Sequence, residues 1–265
     1  MGSGIAVVAA NAGHRVLLYD AEPTAIMRAL KALAKAAWLG RKSGRRFYDY
    51  SINAERPEQA APAPVPLQVS IEGDLGCAAA LIEMARAAGM SVPQDRGSGG
   101  IRVDGVRVAL TDGRTATQRS AEAGEPFVLF DLALDYAKCT RIALAAADQA
   151  SDDQLATVTG FFQKLGKAVS VIDDAPGMVV MRTVAMLANE AADAAHQRIA
   201  SLRDIDLAMQ KGVNYPLGPL AWADVIGAQK ICTVLENMAA FYGEDRYRIS
   251  PFLRRRAIVG GKLAA

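Results

Sequence analysis

Residues 2 to 20 read GSGIAVVAANAGHRVLLYD, an order of residue types suited to binding a nucleotide. A glycine opens an alanine-rich helix, Gly13-His14 turns the chain, and Val16 to Tyr19 is a strand ending in Asp20. Small residues let helix and strand approach closely, and an acidic residue at the strand end accepts hydrogen bonds from the adenosine ribose hydroxyls. The run is the back half of a dinucleotide-binding βαβ unit, with Gly2 and Asp20 as candidate cofactor-binding residues. A complete fingerprint also needs a preceding strand and two earlier glycines whose backbone amides reach the pyrophosphate. The pattern here starts at the place of the third glycine, so NAD is expected to bind weakly or not at all. A second loop, Gly73-Asp74-Leu75-Gly76, follows a strand pattern and opens a helical one, with two of three glycines. Asp74 would set a carboxylate beside the pyrophosphate, and that carboxylate can itself satisfy the positive helix end. The expectation there is a vestigial, nucleotide-free fold.

Acid–base and metal chemistry have few starting points. His14 sits in a turn and is read as structural; His196, after NEAADAA, is read as an exposed or interface helix residue. Cys77, Cys139 and Cys232 are scattered, odd in number and without a CxxC, which argues against a disulfide framework and a zinc site and favours a reducing, cytoplasmic home. No catalytic residue and no metal ligand is assigned. Glu190 is read as a satisfied helix carboxylate in preference to a remnant of a cleft wall. Arg254-Arg255-Arg256 is either a solvated charge run or a contact for phosphates. Tyr215-Pro216-Leu217-Gly218-Pro219 is a rigid turn, readable as a helix connector packing Trp222 or as a wall of a ligand cleft.

The elements that position these residues are α/β first and all-α afterwards. Four prolines in AERPEQAAPAPVP make 54–66 an extended, semi-rigid linker, and the folded body is expected to begin after it. Leu67 to Glu72 reads as a strand, the run to Ala88 as a helix stopped by Gly89, Val106 to Leu110 and Pro126 to Leu132 as strands, and Ala116 to Ala123 as a helix. Helical patterns then dominate: Asp152 to Leu165, Met178 to Ile199, Leu202 to Lys211 and Ala228 to Tyr242, with Ala168 to Ile172 as a strand. Ser201 is an expected N-cap and Gly212 an expected C′ glycine. The divisions are therefore 1–20, 21–53, 54–66, an α/β domain at 67–150 and a helical domain at 151–265. Ile231, Val234, Leu235, Met238 and Phe241 follow helical spacing, and face either the chain's own core or a second copy.

Composition narrows the function classes. Of 265 residues 51% are hydrophobic and 22% charged, an ordinary globular balance. Thirty basic against 28 acidic residues leave a net charge of +2, too little for a broad nucleic-acid or membrane field. No stretch reaches the ~18 apolar residues of a membrane span. Ile5 to Ala10 lacks the basic residues that precede a signal-peptide core, and Ala6 stands where a myristoylation signal has Ser or Thr.

MGSGIA with AGHRVLLYD, LGRKSGRRFYDY at 39–50, EGDLG at 72–76, LTDGRTAT at 110–117, GKAVSVIDDAPGMVVMRTVAMLANEAADA at 166–194 and DIDLAMQKGVNYPLGPLAWADVIG at 204–227 together resemble the bacterial 3-hydroxyacyl-CoA dehydrogenases, especially the long two-unit form of phenylacetate catabolism. The resemblance implies a Rossmann remnant at 1–20, the tail of a first helical domain at 21–53, a degenerate Rossmann-like domain and a helical domain of the 3-hydroxyacyl-CoA dehydrogenase C-terminal type. It implies NAD as cofactor, an acyl-CoA as partner molecule and a dimer built through the helical domain. Asp20, rather than a basic residue, favours NAD over NADP. The family's base is a histidine in an HFFNP-like strand end, oriented by a glutamate, with an asparagine in PGFxxNR; here the strand reads VLFDLA and Met181 precedes Arg182. Two functions follow: an NAD-dependent 3-hydroxyacyl-CoA dehydrogenase, catalytically impaired in this chain, or a non-catalytic assembly or acyl-CoA-binding module derived from one.

Overall fold

A computed structural model describes residues 59–264. The chain divides between Pro57 and Glu58, and the described residues belong to the second unit. The pieces expected at 1–20 and 21–53, with Gly2, His14 and Asp20, lie outside the described residues.

Seven strands are present among the described residues: β1 Val69–Glu72, β2 Gln94–Asp95, β3 Gly100–Val103, β4 Val106–Leu110, β5 Phe127–Phe130, β6 Arg141–Ala146 and β7 Ala168–Val171. Their order in the sheet is β2-β1-β3-β4-β5-β6-β7. The sheet is mixed: β1 pairs antiparallel with β3, β3 antiparallel with β4, and β4 parallel with β5, so the C-terminal ends of β1, β4 and β5 share one side. Side chains alternate with the period of two that a pleated strand imposes. Val106, Val108, Val128, Phe130, Ile142 and Leu144 face one core, and Ala109, Phe127, Leu129 and Ala145 the other.

Three helices cover the sheet. Helix α1 (Ala80–Ala87), entered through a 3₁₀ turn at Gly76–Ala78, and helix α3 (Asp152–Lys164) pack on the first core. Helix α2 (Ala116–Ala123) packs on the second. Phe130, Phe161 and Phe162 are fully buried and in ring contact at 5.6 and 5.1 Å. Each such burial contributes roughly 1.5–3 kcal/mol. On the face of β3 and β4 turned away from α3, Arg102 and Arg107 lie directly opposite each other, an unfavourable pairing of like charges. Glu125 offsets it by accepting from Arg102 at 2.8 Å and Arg107 at 3.0 Å, with Glu72 on the other side. Hydrogen bonding from Arg102 holds the Glu125 carboxyl below its ordinary range.

The helical layer follows: α4 Val180–His196, α5 Leu202–Gly212, α6 Pro219–Ile226, α7 Ala228–Tyr242 and α8 Pro251–Val259. Its core gathers Met181, Ala188, Leu220, Trp222, Ile231, Leu235, Met238 and Leu253. Ile231, Val234, Leu235 and Met238 are thus interior, and only Phe241 of that stripe is exposed, at 55%. The core-facing reading of the stripe holds.

Three further expectations are corrected. The α/β domain does not stop at 150: β6 pairs antiparallel with β5, β7 pairs parallel with β6, and α3 supplies Val158, Phe161 and Phe162 to the sheet core. Helical periodicity alone cannot tell a sheet-covering helix from a bundle helix. The described part of the linker is docked: Ala60 N donates to Val169 O at 2.8 Å, and Gln163 bonds Ala60, Ala61 and Ala63. Proline keeps this segment extended, and an extended segment can lie along an edge strand. Gly212 is not a C′ residue; helix α5 runs through it, and Asn214 takes the left-handed conformation with φ of 59°.

Candidate functional site

In a sheet of this kind ligands sit beyond the carboxyl ends of parallel strands. Here those ends carry Gly73-Asp74-Leu75-Gly76 after β1, Thr111 to Thr115 after β4, and Asp131 after β5. Gly73 and Gly76 have φ of 72° and 56°, the left-handed region that favours glycine. The Asp74 carboxylate accepts from Gly76 N at 2.8 Å, closing the loop on itself.

A second glycine-rich run, Arg96 to Gly100, lies across this loop. Gly73 N donates to Asp95 O at 2.8 Å, and Gly99 N to Glu72 O at 2.9 Å. A Cβ on Gly73 would stand 2.2 Å from Gly97 O, and one on Gly99 would stand 2.5 Å from Asp74 O. Backbone therefore packs against backbone where loop amides would have to face a pyrophosphate. Beside it remains a cavity of 140 Å³, lined by Leu75, Ser98, Thr111, Asp112, Arg119 and Lys230 among others. Cavities for drug-sized ligands span roughly 300–1,000 Å³.

Charge in the cavity is mostly internally matched. The Arg119 guanidinium lies over the Phe127 ring at 4.4 Å, donates to Leu110 O at 3.2 Å, and has its pKa lowered by burial. Burial raises the Asp112 carboxyl, but hydrogen bonding from Arg114 and the charge of Arg119 outweigh it and hold it below its ordinary range. Burial pushes the Cys77 thiol up against the opposing charge of Lys230, which disfavours the reactive thiolate. Cys232 is likewise raised by burial.

Asp131, at the strand end that reads VLFDLA, carries the most telling geometry. It is 1% exposed, and its carboxylate accepts from Val179, Val180 and Met181 N at 3.0, 2.7 and 3.0 Å and from Leu132 N at 2.8 Å. The first three are the unpaired amides at the start of α4, so the side chain fastens the helical layer to the sheet. Asp174 does the same for α2, accepting from Ala116 and Thr117 N at 2.6 and 2.8 Å, and Asp206 for α6, from Leu220 and Ala221 N at 2.8 and 3.0 Å. Sequence reasoning missed all three, because each acts on amides distant along the chain. Asp112 O accepts from Asn237 Nδ2 at 2.8 Å, and Gly113 lets the loop after β4 touch Val234.

The remaining expectations can be placed. His196 is exposed in the last turn of α4, ~25 Å along that helix from the amides on Asp131. Glu190 is exposed, whereas its neighbour Asn189 is buried and links Arg248 O to Ser250 N. Tyr215 packs on Trp222 with ring centroids 5.4 Å apart, and Gly218 leaves room for the Asp206 carboxylate, so this segment is a capped helix connector. Arg254 pairs with Glu236 at 2.7 Å, separating it from Arg255 and Arg256. Among the described residues no cluster of His, Cys, Asp and Glu could hold a metal ion, and no helix is long and apolar enough to cross a membrane.

Comparison with known proteins places these features. Residues 108–176 match the model for the 3-hydroxybutyryl-CoA dehydrogenase reduced Rossmann-fold domain, and residues 177–262 that for the 3-hydroxyacyl-CoA dehydrogenase C-terminal domain. The boundary between them falls after β7, as the packing requires. The 3-hydroxyadipyl-CoA dehydrogenase of Escherichia coli K12 is 36% identical over 83% of this chain, which spans 41% of that protein's length. A probable 3-hydroxybutyryl-CoA dehydrogenase of Bacillus subtilis is 27% identical over 98% of this chain and 89% of its own. Among solved structures, a 3-hydroxybutyryl-CoA dehydrogenase of Escherichia coli K12 superposes with a TM-score of 0.70 at 33% identity, over 88% of this chain and 44% of that one.

Proposed function

The chain belongs to the 3-hydroxyacyl-CoA dehydrogenase family, and from that premise we propose that residues 59–264 form a non-catalytic assembly module of an NAD-dependent 3-hydroxyacyl-CoA dehydrogenase system. The system oxidises a 3-hydroxyacyl-CoA to the 3-oxoacyl-CoA in fatty acid or phenylacetate catabolism, in the cytoplasm. The E. coli relative named for 3-hydroxyadipyl-CoA supports a thioester substrate of this class.

That oxidation needs a base for the hydroxyl proton and a nicotinamide within reach of the substrate carbon. The residues of this unit do not fit a dinucleotide. The single observation that carries the reading is the interlock of Gly73, Gly97 and Gly99, which places backbone where the pyrophosphate would lie. The strand end supports it: the Asp131 oxygens already accept four amide hydrogens, and Met181 offers no amide side chain. What the unit does supply is a rigid sheet to which the helical layer is fastened. Gly2 and Asp20 remain the proposed residues for a weak NAD contact, and self-association is proposed for the assembly.

The purified chain should form no NADH from 3-hydroxyacyl-CoA substrates of several acyl lengths, and calorimetry should detect weak NAD binding or none. Sustained turnover abolished by changing His14 or His196 would overturn the reading. So would micromolar NAD affinity lost in Asp20→Ala.

A further inference from the structure

The far end of α4 carries a surface unlike the rest of the unit. Two hollows of about 640 and 280 Å³ share Phe252 as a common wall. The first is lined by Ala195, Arg198, Leu202 and Arg203, the second by Arg255, Arg256 and Val259. On α8, Phe252, Arg255, Arg256 and Val259 follow the helical period and form one stripe, while Leu253 points into the core. Val259 is 71% exposed, and so is Ile199, next to Arg198 in sequence.

Arg198, Arg203, Arg255 and Arg256 have no hydrogen-bond or ion-pair partner for their guanidinium groups among the described residues; Arg256 lies over the Phe252 ring at 5.0 Å. The neighbouring carboxylates are engaged elsewhere. Asp193 accepts from Gln197 and Arg248, and the Asp204 carboxylate accepts from the Ser201 hydroxyl, whose oxygen in turn accepts from Asp204 N as the α5 cap. Arg198 also has φ of 59°. It follows the end of α4 in the left-handed position that glycine occupies most easily, with Ile199 N bonded back to Ala194 O. A charged residue kept in a strained conformation points to a use for its side chain.

We propose that this groove docks an acidic, apolar-bearing segment of a partner protein. Aromatic and arginine residues enclosing exposed aliphatic surface are the composition of interface centres, and unmatched guanidiniums select carboxylates. A second copy of this chain is disfavoured as occupant, because a two-fold contact would bring the same four guanidiniums face to face.

The test titrates the full chain with a fluorescein-labelled peptide in which Glu and Asp alternate with Leu and Phe, read by anisotropy. Saturable binding that weakens with salt is expected, falling about tenfold in Arg198→Glu and in Arg255→Glu. Arg198→Gly should weaken binding while raising the unfolding midpoint, because it removes charge and strain together. The proposal is overturned by absence of binding, by equal binding of the Gln/Asn version of the peptide, or by unchanged affinity in Arg198→Glu and Arg255→Glu. Displacement of the peptide by CoA would overturn it in favour of a phosphate-ester groove, and concentration-dependent dimers lost in Arg255→Glu in favour of self-association.

Discussion

The two ends of α4 use polar groups in opposite ways. At its start, beside the carboxyl ends of β1, β4 and β5, the helix amides are taken by Asp131 and the loop after β1 is closed by Asp74 and by the Gly97–Gly99 backbone. At its far end, Arg198 and three further guanidiniums find no anion among the described residues. The place where a nucleotide-binding fold keeps its donors free for a ligand is thus the place where this unit uses them for cohesion. Donors at the first end join elements of the unit to one another, whereas the guanidiniums at the far end are unmatched among the described residues.

The most severe way to break this comparison is Asp131→Ala. It leaves up to four buried amides without their acceptor and should cost roughly 3–5 kcal/mol in urea unfolding. Asp131→Asn, which keeps an acceptor and the volume, should lose clearly less. A loss under about 1 kcal/mol would mean that the helical layer does not depend on this fastening.

Gly73→Ala comes next. The new Cβ meets the Gly97 carbonyl at 2.2 Å, and φ of 72° is strained for alanine. With backbone on both sides, about 2–3 kcal/mol of destabilisation is expected. An unchanged midpoint would show that the Arg96–Gly100 run swings aside easily, leaving the loop open to a ligand after all.

Gln163→Ala should cost about 1–2 kcal/mol through lost bonds to Ala60, Ala61 and Ala63. The readout is limited proteolysis: cleavage between Ala60 and Pro64 should be slow in the natural chain and rapid in the variant. Equal rates would return this segment to the status of a free linker.

The smallest effect concerns pH. Asp112 lies below its ordinary 3.8 in the folded chain, held by Arg114 and Arg119 against the opposing effect of burial. A group depressed in this way contributes stability that is complete above the ordinary value and lost as pH falls through the lower folded one. Arg114→Gln should shrink that contribution and move the acid-side loss of stability up toward the ordinary carboxylate range. An unchanged acid limb would mean that the charges lining the cavity are not matched as their distances indicate.

Local patterns made much of this molecule readable. Helix α2, strand β4 and helix α7 match their expected limits because alternation, a Thr115 cap and a Gly243 stop are all encoded within a few residues. Strand β3 is legible on the same grounds, since Asp104-Gly105 between IRV and VRV is a hairpin turn with φ of 43° and 86°. Absence of the family's histidine and asparagine was also plain from residue types alone. Sequence by itself therefore determined the family and the two kinds of layer. Only the tertiary structure decided that α3 and β7 belong to the sheet, that Asp131, Asp174 and Asp206 join distant elements, and that one glycine run lies over another. These contacts link residues far apart in the chain, and a carboxylate that will cap a helix some fifty residues away has no local signature.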